Sequence, residues 1–507
     1  MNTKKILICI FLIICLAAAI IAAGRVLPRN PKEAEMTTKD YSIYPRSNGA
    51  WVGDVMPMGT DDALYLYYLY DTDHNGSGYH PIHRFSTDNF YNYNDDGCML
   101  LFGDKSESPD RAIGTGSVLI SKDGKWHCFY TGHNDGAPAR GEDKECVMHA
   151  ISDDGKNWTK VPSDTFYAED NYSGDDFRDP FVFYNEEAGC YWLLIAARRD
   201  DLGGVVAKYT SNDLKTWTIS EPLYAPKKQF MTECPDLFKM GDKYYLFYSW
   251  DCVTYYAVSD SINGPFTAPK DNILDGTGFC FYAAKTAEFN GKRYLCGWVG
   301  RKNEKKDTGN YDWAGNMVIH ELILHPDGSL GVKAPESLDK LLSKQVKLNI
   351  IKGKGTVNDT KNGYNLIPEK DDISVISLGK REDVMSLEFD VTIDGEGYAG
   401  LGYGSGDNYD KYTGMVLDAK NNSIHFEGCV LSRLPYVTPF IHTYFDFSKN
   451  NTHHVKVVME NEIVVTYVDN TKALTTRVYK SEEDKELALF ACNANCTYEN
   501  IVIKTVK

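Results

Sequence analysis

Positive charge is in short supply here: 54 Lys and Arg stand against 71 Asp and Glu, a formal net charge of −17 over 507 residues. That argues against a nucleic-acid partner, which needs a basic footprint, and solubility accounts for the acid excess. No C-x-x-C pair occurs among the 13 cysteines, which leaves no zinc motif. Cys128, Cys190, Cys252 and Cys296 fall in or beside aromatic, strand-like runs and read as buried thiols. Cys492 and Cys496 are the one close pair beyond the N-terminus. No disulfide framework, metal site or cofactor is expected. Helical periodicity is nearly absent from residue 41 to 325. The turns there carry Gly, Asp, Asn and Pro, and 34 Tyr and 8 Trp favour strands.

The long apolar run is confined to the N-terminus. Lys4 and Lys5 precede an unbroken stretch from Ile6 to Ala23. This is the layout of an export signal, cleaved near Ala22-Ala23-Gly24, or of an uncleaved membrane anchor in residues 6–23. Cys15 follows Ile14 and does not suit a lipid attachment site. Residues 1–24 are read as signal peptide or anchor and 25–40 as a linker. The rest is expected outside the cell or on its surface.

From 41 to 330 a unit recurs. An aromatic strand comes first, as in Leu64-Tyr65-Leu66-Tyr67-Tyr68 or Tyr244-Tyr245-Leu246-Phe247-Tyr248. Four of five such strands lead to a Ser- or Thr-led turn that ends in an aromatic, as from Ser152 to Trp158 and from Ser211 to Trp217. The interval fits one four-stranded blade, so the expectation is an all-β fold with a five-bladed β-propeller. Trp158 and Trp217 read as blade packing. Residues 331–345 read as a connector. Alternating strands over 346–507, such as Val384–Val391 and Ile463–Val468, predict a C-terminal β-sandwich. It holds no cluster of acids or histidines and reads as an accessory domain.

Propeller strands converge on a central pit, so acids far apart in sequence can meet. Asp54, Asp179 and Glu233 each stand shortly before a repeat strand and are expected at equivalent blade positions. Asp236 reads as a turn cap or an orienter of Glu233. Carboxyls around one pit suit glycoside cleavage, in which one acts as acid and another as nucleophile or base. Their proximity helps keep the acid protonated. Trp51 is read as pit wall. Asp71-Thr72-Asp73-His74-Asn75-Gly76 imitates the start of a calcium loop, but its twelfth position is Ile82. It reads as a surface loop, with His80 and His83 as loop histidines beside a sugar.

Phe177-Arg178-Asp179-Pro180 and Glu233-Cys234-Pro235-Asp236-Leu237-Phe238 resemble the Arg-Asp-Pro and Glu-Cys-Pro motifs of glycoside hydrolase family 32, the invertases, inulinases and levanases. Thr115-Gly116-Ser117 stands where that family has Ser-Gly-Ser. Phe281-Tyr282-Ala283, Gly297-Trp298 and Trp313-Ala314-Gly315 resemble its fifth blade. The resemblance implies a propeller joined to a sandwich and a retaining double displacement on sucrose or a fructan. By motif, Asp54 would be the nucleophile, Glu233 the acid/base and Asp179 the holder of fructose hydroxyls. Arg178 would orient the acids, and Trp51, Thr115, Ser117, Tyr282 and Trp313 would bind sugar. Retention implies working carboxyls about 5–5.5 Å apart. Of the family's first motif, Trp-Met-Asn-Asp-Pro-Asn-Gly, only Trp51 and Asp54 remain. Gly53 replaces an asparagine, Leu69 a glutamine and Cys280 an aspartate, so the sugar contacts are expected to differ. A fructosyltransferase, an inverting arabinan or xylan hydrolase, and a non-catalytic carbohydrate-binding propeller remain open alternatives.

Overall fold

The computed structural model describes residues 41–72, 79–169, 171–227, 230–307, 309–404, 409, 413–427, 441–479 and 484–507. The N-terminal apolar run, the linker and most of the calcium-like loop lie outside these residues. Among the described residues no helix is long and apolar enough to cross a membrane.

Within the described residues, five strands form the inner wall of the first domain: Trp51–Gly59, Ala112–Ile120, Tyr172–Asn185, Glu233–Met240 and Tyr282–Phe289. Each contacts the next, and the fifth contacts the first, so they close a ring. Each also opens an antiparallel blade through a short hairpin, and the fold is a five-bladed propeller followed by a β-sandwich. The third strand of blade 5, Tyr311–Leu324, reaches across to the first strand of blade 1 and pairs Gly315 with Val52. Blades 5 and 1 therefore share one eight-stranded sheet.

The recurring Ser/Thr turns have one local cause. The Thr87, Ser152 and Ser211 hydroxyls each accept backbone amides two and three residues on. Asn89, Asp154 and Asp213 then accept the next two amides. These are Asx and ST turns in which side chains take over turn bonding. In blade 1 the leading residue is Thr87. Trp158 packs edge-on to Tyr67, and Trp217 packs edge-on to Phe129.

Leu330–Lys333 closes blade 5 by pairing with Tyr311–Leu324, and a short helix, Leu338–Leu341, leads to the sandwich. The first sandwich strand is Leu342–Gln345, and the two sheets hold eight and seven strands. Alternating apolar residues such as Met385, Leu387, Phe389 and Val391 fill the space between them. The two domains share a core: Val458, Ile463, Val465 and Tyr467 of the sandwich pack with blades 1, 4 and 5. Polar locks reinforce the seam. His320 of blade 5 bridges Tyr467 and Asp275, each at 2.9 Å. The Glu460 carboxylate accepts the amides of Ser42, Ile43 and Tyr44. The ten described cysteines are all free thiols.

Candidate active site

All five inner strands are interrupted at the same level by one extra residue. Pairing skips at Asp54 in blade 1, Thr115 in blade 2, Asp179-Pro180 in blade 3, Cys234-Pro235 in blade 4 and Ala283-Ala284 in blade 5. A β-bulge bends the strand and re-aims a side chain. Asp179, Cys234 and Ala283 take positive φ of 59°, 53° and 52° at these points, a strained conformation for residues other than glycine. The five bulges surround a cavity of about 560 Å³ lined by Asp54, Thr115, Asp179, Cys234 and Glu233 among others.

Glu233 is not at the position that Asp54 and Asp179 share. It precedes its bulge by one residue, as Arg178 and Tyr282 precede theirs. The expected equivalence of the three acids therefore resolves into two rings. Asp54 and Asp179 stand on the bulges. Glu233 stands in the ring before them, between its two counterparts. Arg178 Nη2 donates to Glu233 Oε1 at 3.0 Å and Tyr282 Oη donates to Oε2 at 2.6 Å. Arg178 is fixed in turn by Glu145 at 3.1 Å and Asp176 at 3.3 Å.

The field in the pit follows from this crowding. Burial first, then the charges of Asp179 and Glu233, push Asp54 up to about 7, against a 3.0 Å hydrogen bond from Trp298 Nε1. Asp179 is pushed up to about 6 by burial and by Glu233. Arg178, Lys285 and the Cys234 amide, 2.9 Å from Asp179 Oδ2, act the other way. Burial and the Glu233 charge raise the Tyr282 phenol well above its usual range, so it stays a donor. Burial would raise Glu145, but hydrogen bonding to His133 and the Arg178 charge bring it below the usual range.

The blade 1 side has a different character. Leu69 and Trp313 line it, and a Cβ on Gly53 would fall 2.3 Å from Trp313 Cη2. The indole fills the room that a side chain at 53 would need. His80 lies tilted against that indole, ring centroids 4.7 Å apart, and faces the buried Asp71, whose carboxylate is 2.8 Å from Arg301 Nη1. Asp71 thus serves an ion pair.

The structure brings Asp54, Asp179, Glu233, Thr115, Arg178, Tyr282 and Trp313 to one cavity, with His80. Thr115 is 1% exposed and its hydroxyl has no hydrogen-bond partner among the described residues. Three expected contacts lie elsewhere. Ser117 accepts the Val182 amide at 2.9 Å on the seam between blades 2 and 3. Trp51 packs beneath the Arg46 guanidinium, 4.1 Å from its centroid, with Arg301 and Arg477 nearby. His83 stacks on Tyr70 at 3.8 Å, away from the pit lining. Cys280 belongs to the sandwich core and is not a pit residue. Asp236 accepts the Thr286 amide and ties blade 4 to blade 5. Sequence reading missed His133, Asp135, Lys144 and Glu145, a charged rim on blade 2. They form a hairpin of blade 2 with no motif of their own; the only signal was their place at the ends of neighbouring strands, His133 opposite Glu145.

The model of the glycosyl hydrolases family 32 N-terminal domain matches residues 48–333, more than half of the chain. Sucrose-6-phosphate hydrolase of Vibrio alginolyticus is 26% identical over 223 residues, 38% of this chain and 46% of that protein. The Escherichia coli sucrose-6-phosphate hydrolase is 24% identical over 333 residues, 57% of this chain and 64% of that one. The chain thus spans about half to two thirds of the length of these relatives. Among solved structures, fructan 1-exohydrolase IIa from Cichorium intybus in complex with 1-kestose has a TM-score of 0.72 at 15% identity, covering 93% of this chain and 98% of that one. On the family match, this chain belongs to glycosyl hydrolase family 32.

Proposed function

We propose that this chain is an exported, retaining glycoside hydrolase that cleaves β-fructofuranosidic bonds in sucrose or fructans, with water as acceptor. The observation that carries this reading is Glu233, clamped by Arg178 and Tyr282 in the same pit as Asp54 and Asp179. In the first step the Asp54 carboxylate attacks the anomeric carbon while Glu233 gives its proton to the leaving oxygen. In the second, Glu233 takes a proton from water, whose oxygen displaces Asp54 and releases fructose. Asp179 accepts hydrogen bonds from fructose hydroxyls and stabilises the positive charge of the transition state.

The charge around the pit favours an unphosphorylated sugar. The lining carries five carboxyl groups, those of Asp54, Asp135, Glu145, Asp179 and Glu233, against Lys144 and Arg178. Lys144 is 3.1 Å from Asp135, and Arg178 is held by three carboxylates. Among the described residues of this lining a phosphate would meet no unpaired Lys or Arg. Export is supported by Lys4, Lys5 and the apolar run from Ile6 to Ala23.

A release assay across sucrose, sucrose 6-phosphate, inulin, levan and arabinan tests the reading. Fructose released from sucrose or a fructan, with sucrose 6-phosphate a poorer substrate, is the expected result. Arabinose release without fructose would overturn it.

A further inference from the structure

Directly beneath the pit each inner strand contributes the residue that follows its bulge: Val55, Gly116, Phe181, Asp236 and Lys285. In this layer Lys285 is a cation that the reaction above does not use. It is 1% exposed. Its Nζ donates to the Gly116 carbonyl of blade 2 at 2.7 Å and stands 5.8 Å from the centroid of the Phe181 ring of blade 3. The side chain therefore runs from blade 5 across the propeller axis to the opposite wall. Among the described residues it forms no ion pair, so no single carboxylate holds it.

A buried ammonium with one carbonyl partner is costly unless nearby charge compensates it. The groups whose charge it meets come from two blades. Asp179 of blade 3 lies on the pit floor and Asp236 lies on blade 4; the Cys234 thiol of blade 4, raised well above its usual range by burial, stays neutral. Asp236 has a second cation in Arg293, and Asp179 has Arg178, which Glu145 and Glu233 also claim. Blade 2 offers the neutral Gly116 carbonyl and blade 1 the apolar Val55.

We propose that Lys285 is a positioning residue for the reaction: its ammonium, strung across the axis below the pit, is the shared counter-charge that holds Asp179 as a carboxylate. The inference rests on the catalytic reading of the pit and adds to it. Asp54, pushed up to about 7, and Asp179, pushed up to about 6, must both be ionised to work, so Asp179 sets the steeper, lower part of the acid limb of the pH profile. Without Lys285 that limb moves to higher pH.

Two variants separate charge from hydrogen bonding. Lys285→Met removes both, and Lys285→Gln keeps a donor for the Gly116 carbonyl without the charge. In both, the acid limb of kcat/KM is expected to rise by about one pH unit, which is roughly a tenfold loss on that limb and little change well above it. A Lys285→Gln profile that superimposes on the wild-type profile would overturn the proposal and leave only a structural tie to Gly116. Melting temperature against pH supplies a readout that needs no turnover. Asp179 sits above its unfolded value, so its contribution to stability is present at low pH and falls as pH rises through about 6. The melting-temperature difference between variant and wild type should turn less favourable to the variant from pH 4 to pH 8. A constant difference would count against the counter-charge even if the pit proved to have no hydrolase activity.

Discussion

The two sides of the pit differ in kind. On the arc from blade 3 to blade 5, Arg178, Glu233 and Tyr282 occupy one structural position in successive blades and are joined by hydrogen bonds of 3.0 and 2.6 Å. On the blade 1 side, Leu69 and Trp313 present carbon to the cavity, and the indole occupies the space above Gly53. The first side can move protons and stabilise charge; the second sets carbon beside the single carboxyl of Asp54, and that carbon can only shape and exclude. Two departures from the family's motifs, Gly53 and Leu69, lie on the second side, while the Arg-Asp-Pro and Glu-Cys-Pro motifs stand intact on the first. On the proposed function, proton transfer falls to the polar arc and sugar choice to the carbon beside Asp54, and each should be alterable without the other.

The largest effect should come from the acid on the polar arc. Glu233→Gln should lower kcat on sucrose or levan by roughly 10²–10⁴-fold with an unchanged circular dichroism spectrum, the range for loss of general acid–base catalysis. Loss of the clamp should be smaller. Tyr282→Phe removes a hydrogen bond to a charged group, worth about 1.5–3 kcal/mol, and should reduce kcat/KM by about 10–100-fold in steady-state kinetics. The apolar wall should respond differently. In Gly53→Asn the new Cβ would lie 2.3 Å from the Trp313 ring, so the indole must move. Initial rates should show KM and the ratio of sucrose to inulin turnover changing severalfold, with kcat affected least. Equal effects of this variant and Tyr282→Phe on kcat would erase the distinction between the walls.

The smallest effect concerns stability. Asp54 is pushed up to about 7, so its ionised form is disfavoured in the folded chain and its burden on stability grows as pH rises from about 4 to about 7. Water reaching the half-buried carboxyl through the pit mouth screens part of this. Asp54→Asn should therefore stabilise the protein at pH 7 by about 1–2 kcal/mol and have little effect near pH 4, as read from denaturant melts.

The propeller was legible because its repeat is local chemistry. A Ser or Thr that caps a turn, followed by Asp or Asn, leaves the same trace in three successive blades. That the three acids meet in one pit was legible for a related reason, since each lies shortly ahead of an aromatic strand. What could not be read was the offset of Glu233 from Asp54 and Asp179. Each strand gains its extra residue by tertiary pairing, and a bulge leaves the two-residue alternation intact in the sequence while shifting which face a side chain meets. The same slippage explains Ser117 and Trp51. Both are near a pit residue in sequence, but Ser117 turns to the seam with blade 3 and Trp51 turns to three guanidinium groups. The blade 2 rim escaped notice because His133 and Glu145 lie on different strands and meet only once those strands pair.

The central claim is double displacement through Asp54 with Glu233 as acid/base, and the stereochemistry of transfer tests it most directly. Sucrose or levan turned over in aqueous methanol gives a methyl fructofuranoside whose configuration does not interconvert in solution, and carbon-13 NMR identifies the anomer. Methyl β-fructofuranoside, formed by the wild type and lost in Asp54→Asn, is the predicted result. The α-anomer as first product, or β-product at a wild-type rate from Asp54→Asn, would contradict it.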